Sequence, residues 1–176
     1  QVWHCWGDGP PLVLLHGGSG AWNHWLCNIG TLSKHYRLIV ADMPGLGDSD
    51  DLPFIFDWRD YPASVPKLAK IISLGINIIV GDKAFDLCGF SFGSITGAYV
   101  AARAGPWLKS FTLVGSSAFG WPWNGLSQPV RAMSNDMNEV DRLAVQRYNL
   151  SNAMLIREVD DDLAHIQLNN VARARV

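Results

Sequence analysis

The chain has 176 residues, 48% hydrophobic and 17% charged, a globular composition with enough apolar mass for one sizeable core. Its net charge of −2 offers no electrostatic attraction to nucleic acid or to an acidic membrane surface, so neither is expected as a partner. No apolar stretch is expected to reach the ~18 to 20 residues of a membrane span, and no cationic start followed by an apolar core marks a secretion signal.

The first expected strand is Val2 to Trp6 and the second Leu12 to His16, opening into the glycine-rich run His16-Gly17-Gly18-Ser19-Gly20. Trp25, Ile29 and Leu32 then fall at helical spacing. A third strand, Leu38 to Asp42, runs into the turn Met43-Pro44-Gly45-Leu46-Gly47-Asp48-Ser49-Asp50. Pro62 and Pro66 mark the start of a longer helix, whose stripe is Val65, Leu68, Ile72, Ile76 and Ile79. Phe85 to Gly89 reads as a strand, followed at once by a helix rich in small residues (Gly97, Ala98, Ala101, Ala102), and Ser110 to Val114 as another strand. Beyond a breaker-rich link around Gly120-Trp121-Pro122-Trp123-Asn124-Gly125, a helix is expected from Asn138, with Val140, Leu143, Ala144 and Tyr148 on one side. A last helix begins near Asp160, where acidic residues suit the positive end of the helix dipole.

Runs such as Leu12-Val13-Leu14-Leu15 do not alternate, as expected of strands covered on both faces. Strands alternating with helices define an α/β fold with a doubly wound, mainly parallel sheet. Residues 1–120 are read as this core and residues 121–176 as a separate helical region.

The chemistry concentrates in Gly89-Phe90-Ser91-Phe92-Gly93, between a strand and a helix. A serine on so tight a turn sits in a strained backbone, and the residues two positions either side must lack bulk so that strand and helix can close. Such a turn aims the backbone N–H of Phe92 at the place where an oxyanion would form. Ser91 is therefore read as a nucleophile. Gly17 and Gly18 follow a strand, so their backbone can approach a ligand closely.

The His-Gly-Gly loop, the Asp42-Met43-Pro44-Gly45-Leu46-Gly47-Asp48-Ser49 turn and the Gly-Phe-Ser-Phe-Gly elbow, in that order, resemble the α/β-hydrolase family. The resemblance covers nearly the whole chain and implies a serine hydrolase acting on an ester or related acyl compound without a cofactor. It makes Gly18 the second oxyanion donor, His16 a structural histidine that holds its loop, and Asp42 a turn-fixing residue. It also implies that residues 121–176 belong to a helical cap over the site. Serine at the elbow argues against the family's branches that attack through a carboxylate. Phe90, where some carbon–carbon bond hydrolases of ring-fission products carry a polar residue, weakens that alternative.

In the family the catalytic acid follows the seventh strand and the histidine the eighth, and neither strand is expected here. Both chain ends fall inside an expected element, so the chain is read as a fragment whose triad is incomplete. By order alone, Asp136, Asp141 or Asp160 to Asp162 with His165 would give a Ser…Asp…His set, but His165 falls in mid-helix. The alternative function is a truncated or degenerate hydrolase that binds ligand without turnover. A nucleotide binder on the same sheet type ranks last, because no phosphate-cradling glycine loop has the right spacing. Without further strands, the Ser110 to Val114 strand would carry an open edge, which predicts poor solubility.

His4, His24 and His35 show no metal-ligand spacing with one another or with the cysteines, so no metal is expected. Cys5, Cys27 and Cys88 are expected to be buried free thiols in a reducing, cytoplasmic setting. Among the tryptophans, Trp22 and Trp25 after the glycine loop and Trp121 and Trp123 at the link are candidate walls of an apolar acyl pocket, with plain core packing as the other reading.

Overall fold

A computed structural model describes residues 1–116, 129–155 and 158–176. The chain divides into two compact units, Gln1–Gly120 with Arg173–Val176, and Trp121–Ala172.

In the first unit, β1 (Val2–Trp6), β2 (Pro11–Leu15), β3 (Arg37–Asp42), β4 (Phe85–Phe90) and β5 (Leu108–Val114) form one sheet in the order β1-β3-β2-β4-β5. Only β1 runs antiparallel, against β3; the remaining neighbours are parallel. The helices of this unit are α1 (Leu26–Leu32), α2 (Tyr61–Val80) and α3 (Phe92–Ala104). The sheet is mainly parallel with helices on both faces, as the sequence predicts.

Residue alternation along the central strands explains the double cover. Val13, Leu15, Ile39, Ala41 and Leu87 point into a cluster with Val65, Leu68, Ile72, Ile76 and Val100 of α2 and α3. Their neighbours Leu14, Leu38 and Val40 face the other way, onto Trp25 and Ile29. Both sets are buried, so the inner positions of β2 and β3 need apolar residues on both faces. The continuous Leu-Val-Leu-Leu and Leu-Ile-Val-Ala runs follow from that.

Helix α2 begins at Tyr61, so Pro62 lies in its first turn while Pro66 is inside it. Pro66 has no N–H to give the Pro62 carbonyl, one bond the helix forgoes. The expectation that no segment is long and apolar enough to cross a membrane does not hold. Trp58–Val80 has 23 residues with mean hydropathy 1.5 and meets that description by length and composition. Its apolar excess has a local reason: besides the buried stripe, Leu74 and Ile78 lie on the outer face, 55% and 84% exposed.

The cysteines correct a second expectation. Cys5 and Cys27 are exposed and Cys88 is half-buried, and none of the three forms a disulfide. Cys5 points outward from an edge strand, where apolar neighbours in sequence lie on the opposite face. Burial pushes the Cys88 thiol pKa upward. Among the described residues strand β5 pairs with β4 alone, and Leu113 and Val114 are exposed.

The second unit contains α4 (Glu139–Ala153) and most of α5 (Asp161–Arg173). Asn138 caps α4 by accepting the Asp141 N–H (2.9 Å), and Asp160 accepts the Leu163 N–H (2.9 Å) at the start of α5. The buried face of α4 is Val145, Gln146 and Leu150. Val140 and Ala144, expected on the inner side, are exposed. The cause is a misjudged helix phase: Leu143 and Tyr148 flank the true stripe half-buried, and α4 is too weakly amphipathic for apolar spacing to locate its inner face.

Candidate active site

Ser91 occupies the single position between the end of β4 and the start of α3, at φ 51° and ψ −114°. Positive φ is unfavourable for a residue with a Cβ and costs about 1–3 kcal/mol, so the surrounding bonds must enforce it. The Ser91 N–H donates to the Val114 carbonyl at 2.8 Å, and the Ser91 carbonyl accepts the Ser94 N–H at 2.9 Å. Ser94, wholly buried, donates its hydroxyl to the Gly89 carbonyl and accepts the Val114 N–H at 3.3 Å. The elbow is thereby pinned to the end of β5. Sequence reasoning missed Ser94, whose only signal was a hydroxyl residue in the first turn of an otherwise small and apolar helix.

Gly89 and Gly93 are required by close approach. A Cβ on Gly89 would overlap the Gly93 carbonyl, and one on Gly93 would overlap the carbonyl of Leu15, the last residue of β2. Side chains here would separate α3 from the two strands that hold it. The glycine loop after β2 then runs beside the elbow. A Cβ on Gly17 would stand 3.4 Å from Ser91 Cβ and 2.9 Å from the Phe90 ring; one on Gly18 would stand 3.8 Å from Phe92 Cβ. Structure thus brings together Gly17, Gly18, Ser91 and Phe92, the four residues singled out from the two motifs. Gly18 is exposed, Ser91 is half-buried, and Gly17 and Phe92 are buried.

His16 supports this loop from beneath. It is fully buried, its Nδ1–H donates to the Gly17 carbonyl at 2.8 Å, and its Nε2 accepts the Met43 N–H at 3.0 Å. Those partners fix a neutral tautomer, and burial lowers its pKa from 6.5 to about 4. With both nitrogens committed, His16 has no lone pair to take a proton from Ser91.

Asp42 ties the same region together. Its carboxylate, 0% exposed as a residue, accepts the Trp22 N–H at 2.7 Å and the Asp48 N–H at 3.0 Å, with His4 Nε2 at 3.5 Å. Ser49 donates to the Asp42 carbonyl at 2.5 Å and accepts the Val2 N–H at 2.7 Å. The Asp-x-Pro-Gly-x-Gly-x-Ser turn therefore spends its polar groups on cross-linking β1, β3 and the segment after the glycine loop. Asp48 and Asp51 pair with Arg173 and Arg175. These four side chains help line a polar cleft of about 520 Å³, which includes none of Ser91, Gly17, Gly18 and Phe92.

The Trp22 indole lies against the rings of His4 (5.0 Å between centroids) and Trp6 (5.5 Å), so it packs on β1. Trp121 and Trp123 lie outside the described residues. A different aromatic group meets the elbow. The rings of Phe56 and Trp58 stand 5.8 Å and 5.0 Å from that of Phe92 and 4.8 Å from each other. Nothing in the sequence assigned these two a place, because they fall in an irregular segment with no periodicity. His165 is exposed on α5, its Nδ1–H donating to the Asp161 carbonyl at 2.8 Å. Among the described residues Ser91 Oγ has no hydrogen-bond partner, and no group of three His, Cys, Asp or Glu residues is placed to hold a metal ion.

A sharp strand–serine–helix junction with two glycines of a neighbouring loop against it defines a class of site. The family model for the alpha/beta hydrolase fold matches residues 10–154, and the chain belongs to that family. Pimeloyl-[acyl-carrier protein] methyl ester esterase of Aeromonas salmonicida is 31% identical over 165 residues, covering 92% of this chain and 61% of that protein. The esterase of the same name from Vibrio campbellii is 29% identical over 86% of this chain and 56% of its own. A putative aryl esterase from Burkholderia cenocepacia superposes with a TM-score of 0.74 at 22% identity, over 98% of this chain and 63% of that one, a likeness of fold. The chain thus spans about three-fifths of the length of the curated relatives it matches.

Proposed function

We propose that the chain carries the nucleophile and the oxyanion hole of a serine hydrolase that cleaves a small ester or related acyl substrate. The observation that carries this reading is Ser91, held at positive φ between β4 and α3 with Gly17 and Gly18 beside it. Nothing in packing alone calls for a strained serine there; presentation of its hydroxyl does.

In this reading Ser91 Oγ attacks the substrate carbonyl carbon, forming the new C–O bond while the carbonyl electron pair moves onto oxygen. The N–H groups of Gly18 and Phe92 receive that charge; losing one such donor typically costs about 3–4 kcal/mol of transition-state stabilisation. Collapse expels the alcohol as leaving group, and water later releases the acid from the acyl-serine. The proton from Ser91 needs a base. His16 is committed to its loop and His165 is exposed on a helix bonded to its own backbone. As the family's order of catalytic residues implies, the base and its acid partner are assigned to residues outside this chain, with the Trp121–Ala172 unit as part of a cap. A methyl ester of an acyl group, named in the relatives, is the substrate class to try first.

The test is labelling with a fluorophosphonate probe, comparing the chain, a version extended to the length of its relatives, and Ser91→Ala in both. Labelling should require Ser91 in each, and be far faster in the extended form. Labelling that survives Ser91→Ala refutes the nucleophile. Rapid ester turnover by the 176-residue chain refutes a base from outside.

A further inference from the structure

The oxyanion donor Phe92 is bracketed by two structures: the exposed Gly18 approaches its Cβ, and the Phe56 and Trp58 rings approach its ring. Phe92 itself is 5% exposed, whereas Trp58 is 51% exposed. The stack therefore leads from the buried residue after the nucleophile out to an indole half open to solvent. No hydrogen bond involves the Trp58 side chain among the described residues, so its presence at the surface is not explained by a polar anchor.

Its position is nonetheless fixed. Trp58 opens a short 3-10 turn, Trp58–Asp60, capped by Asp57, whose carboxylate accepts the Arg59 N–H at 2.8 Å. The Asp57 N–H in turn donates to the buried Ser64 hydroxyl of α2 at 3.1 Å. Lys67 of the same helix lies over the Phe54 ring, 5.6 Å from its centroid. The segment bearing Trp58 is thus clipped to the first turns of α2, which lowers the entropy cost of using the indole as a contact surface.

We infer that Trp58, backed by Phe56, is the platform on which the alkyl part of an acyl substrate lies when its carbonyl is at Ser91. The inference rests on the reading of Ser91 as nucleophile and adds where chain-length selectivity comes from. An aliphatic acyl chain is the occupant that fits: the platform is two uncharged aromatic rings, and it adjoins the residue whose N–H would hold the carbonyl oxygen.

The test titrates the Ser91→Ala chain by NMR with methyl butanoate and methyl octanoate. At about fourfold per buried methylene, the longer ester should bind at least ~10-fold more tightly. Trp58→Ala on the same background should reduce that ratio to under about threefold, and Trp58→Phe should keep most of it. Circular dichroism and a thermal melt establish that each variant is folded. Should Trp58→Ala unfold, the indole N–H resonance of Trp58, assigned by its loss in Trp58→Phe, gives a second reading. It should move on titration with methyl octanoate and stay still with methyl butanoate. An unchanged affinity ratio in folded Trp58→Ala, no chain-length preference in the parent, or an unmoved indole resonance overturns the platform. The affinity ratio judges Trp58 by itself, whereas labelling that survives Ser91→Ala refutes the nucleophile alone.

Discussion

His16 makes the stability of this chain depend on pH in a way that can be worked out from its two hydrogen bonds. Protonating Nε2 would put an N–H against the Met43 N–H, two donors face to face in a site without water access. Burial is the main cause of the lowered pKa; His24 lowers it further, and the Gly17 carbonyl and Asp42 act against it. An unfolded chain binds this proton near pH 6.5 and the folded chain near 4, so acid favours unfolding. The contribution is intact above about pH 6.5 and is lost as pH falls towards 4. The shift from 6.5 to about 4 corresponds to about 3 kcal/mol once the loss is complete. Urea unfolding of the chain and of His16→Gln, between about pH 7.5 and 4.5, isolates the effect, since the carboxylates that also titrate are common to both. His16→Gln should start lower, having lost a buried bond, yet fall by about 2–3 kcal/mol less across that range. Parallel curves would show that His16 is not held neutral by its burial.

Two further outcomes follow from the elbow. Ser91→Gly should raise the unfolding free energy, measured in urea, by about 1 kcal/mol, because glycine adopts positive φ without strain, while Ser91→Ala should give no such gain; equal stabilities for the two variants would deny the strain. Gly93→Ala should cost about 1–3 kcal/mol by forcing α3 away from the Leu15 carbonyl, with slower fluorophosphonate labelling as the elbow shifts. A midpoint and labelling rate like those of the unsubstituted chain would refute that close approach.

Much of this molecule is legible in its residues taken in order. The unbroken apolar runs of β2 and β3 announce strands buried on both faces, and the strand ends fell within two residues of those expected. Helix ends at Asn138 and Asp160 are visible because caps are local: one side chain satisfies N–H groups two or three positions ahead. Exposure was harder. Cys5 and Cys27 were misjudged because apolar neighbours in sequence say nothing about which side of an edge strand or short helix meets solvent. The helix opening at Pro62 is legible, but its apolar excess is not, because Leu74 and Ile78 lie on its outer face, away from the buried stripe that the spacing picks out.

The sequence alone determined the sharp serine turn and the glycine loop, because each is a backbone shape that only certain residues at fixed spacing permit. Tertiary structure decided everything that depends on which distant segments meet: Gly17 and Gly18 beside Ser91 and Phe92, Ser94 locked to the end of β5, and His16 bonded across to Met43. It also turned Trp22 onto β1 and set Trp58 against Phe92. Such pairings are fixed by sheet order and by the packing of helices across it, which no local pattern of residues encodes.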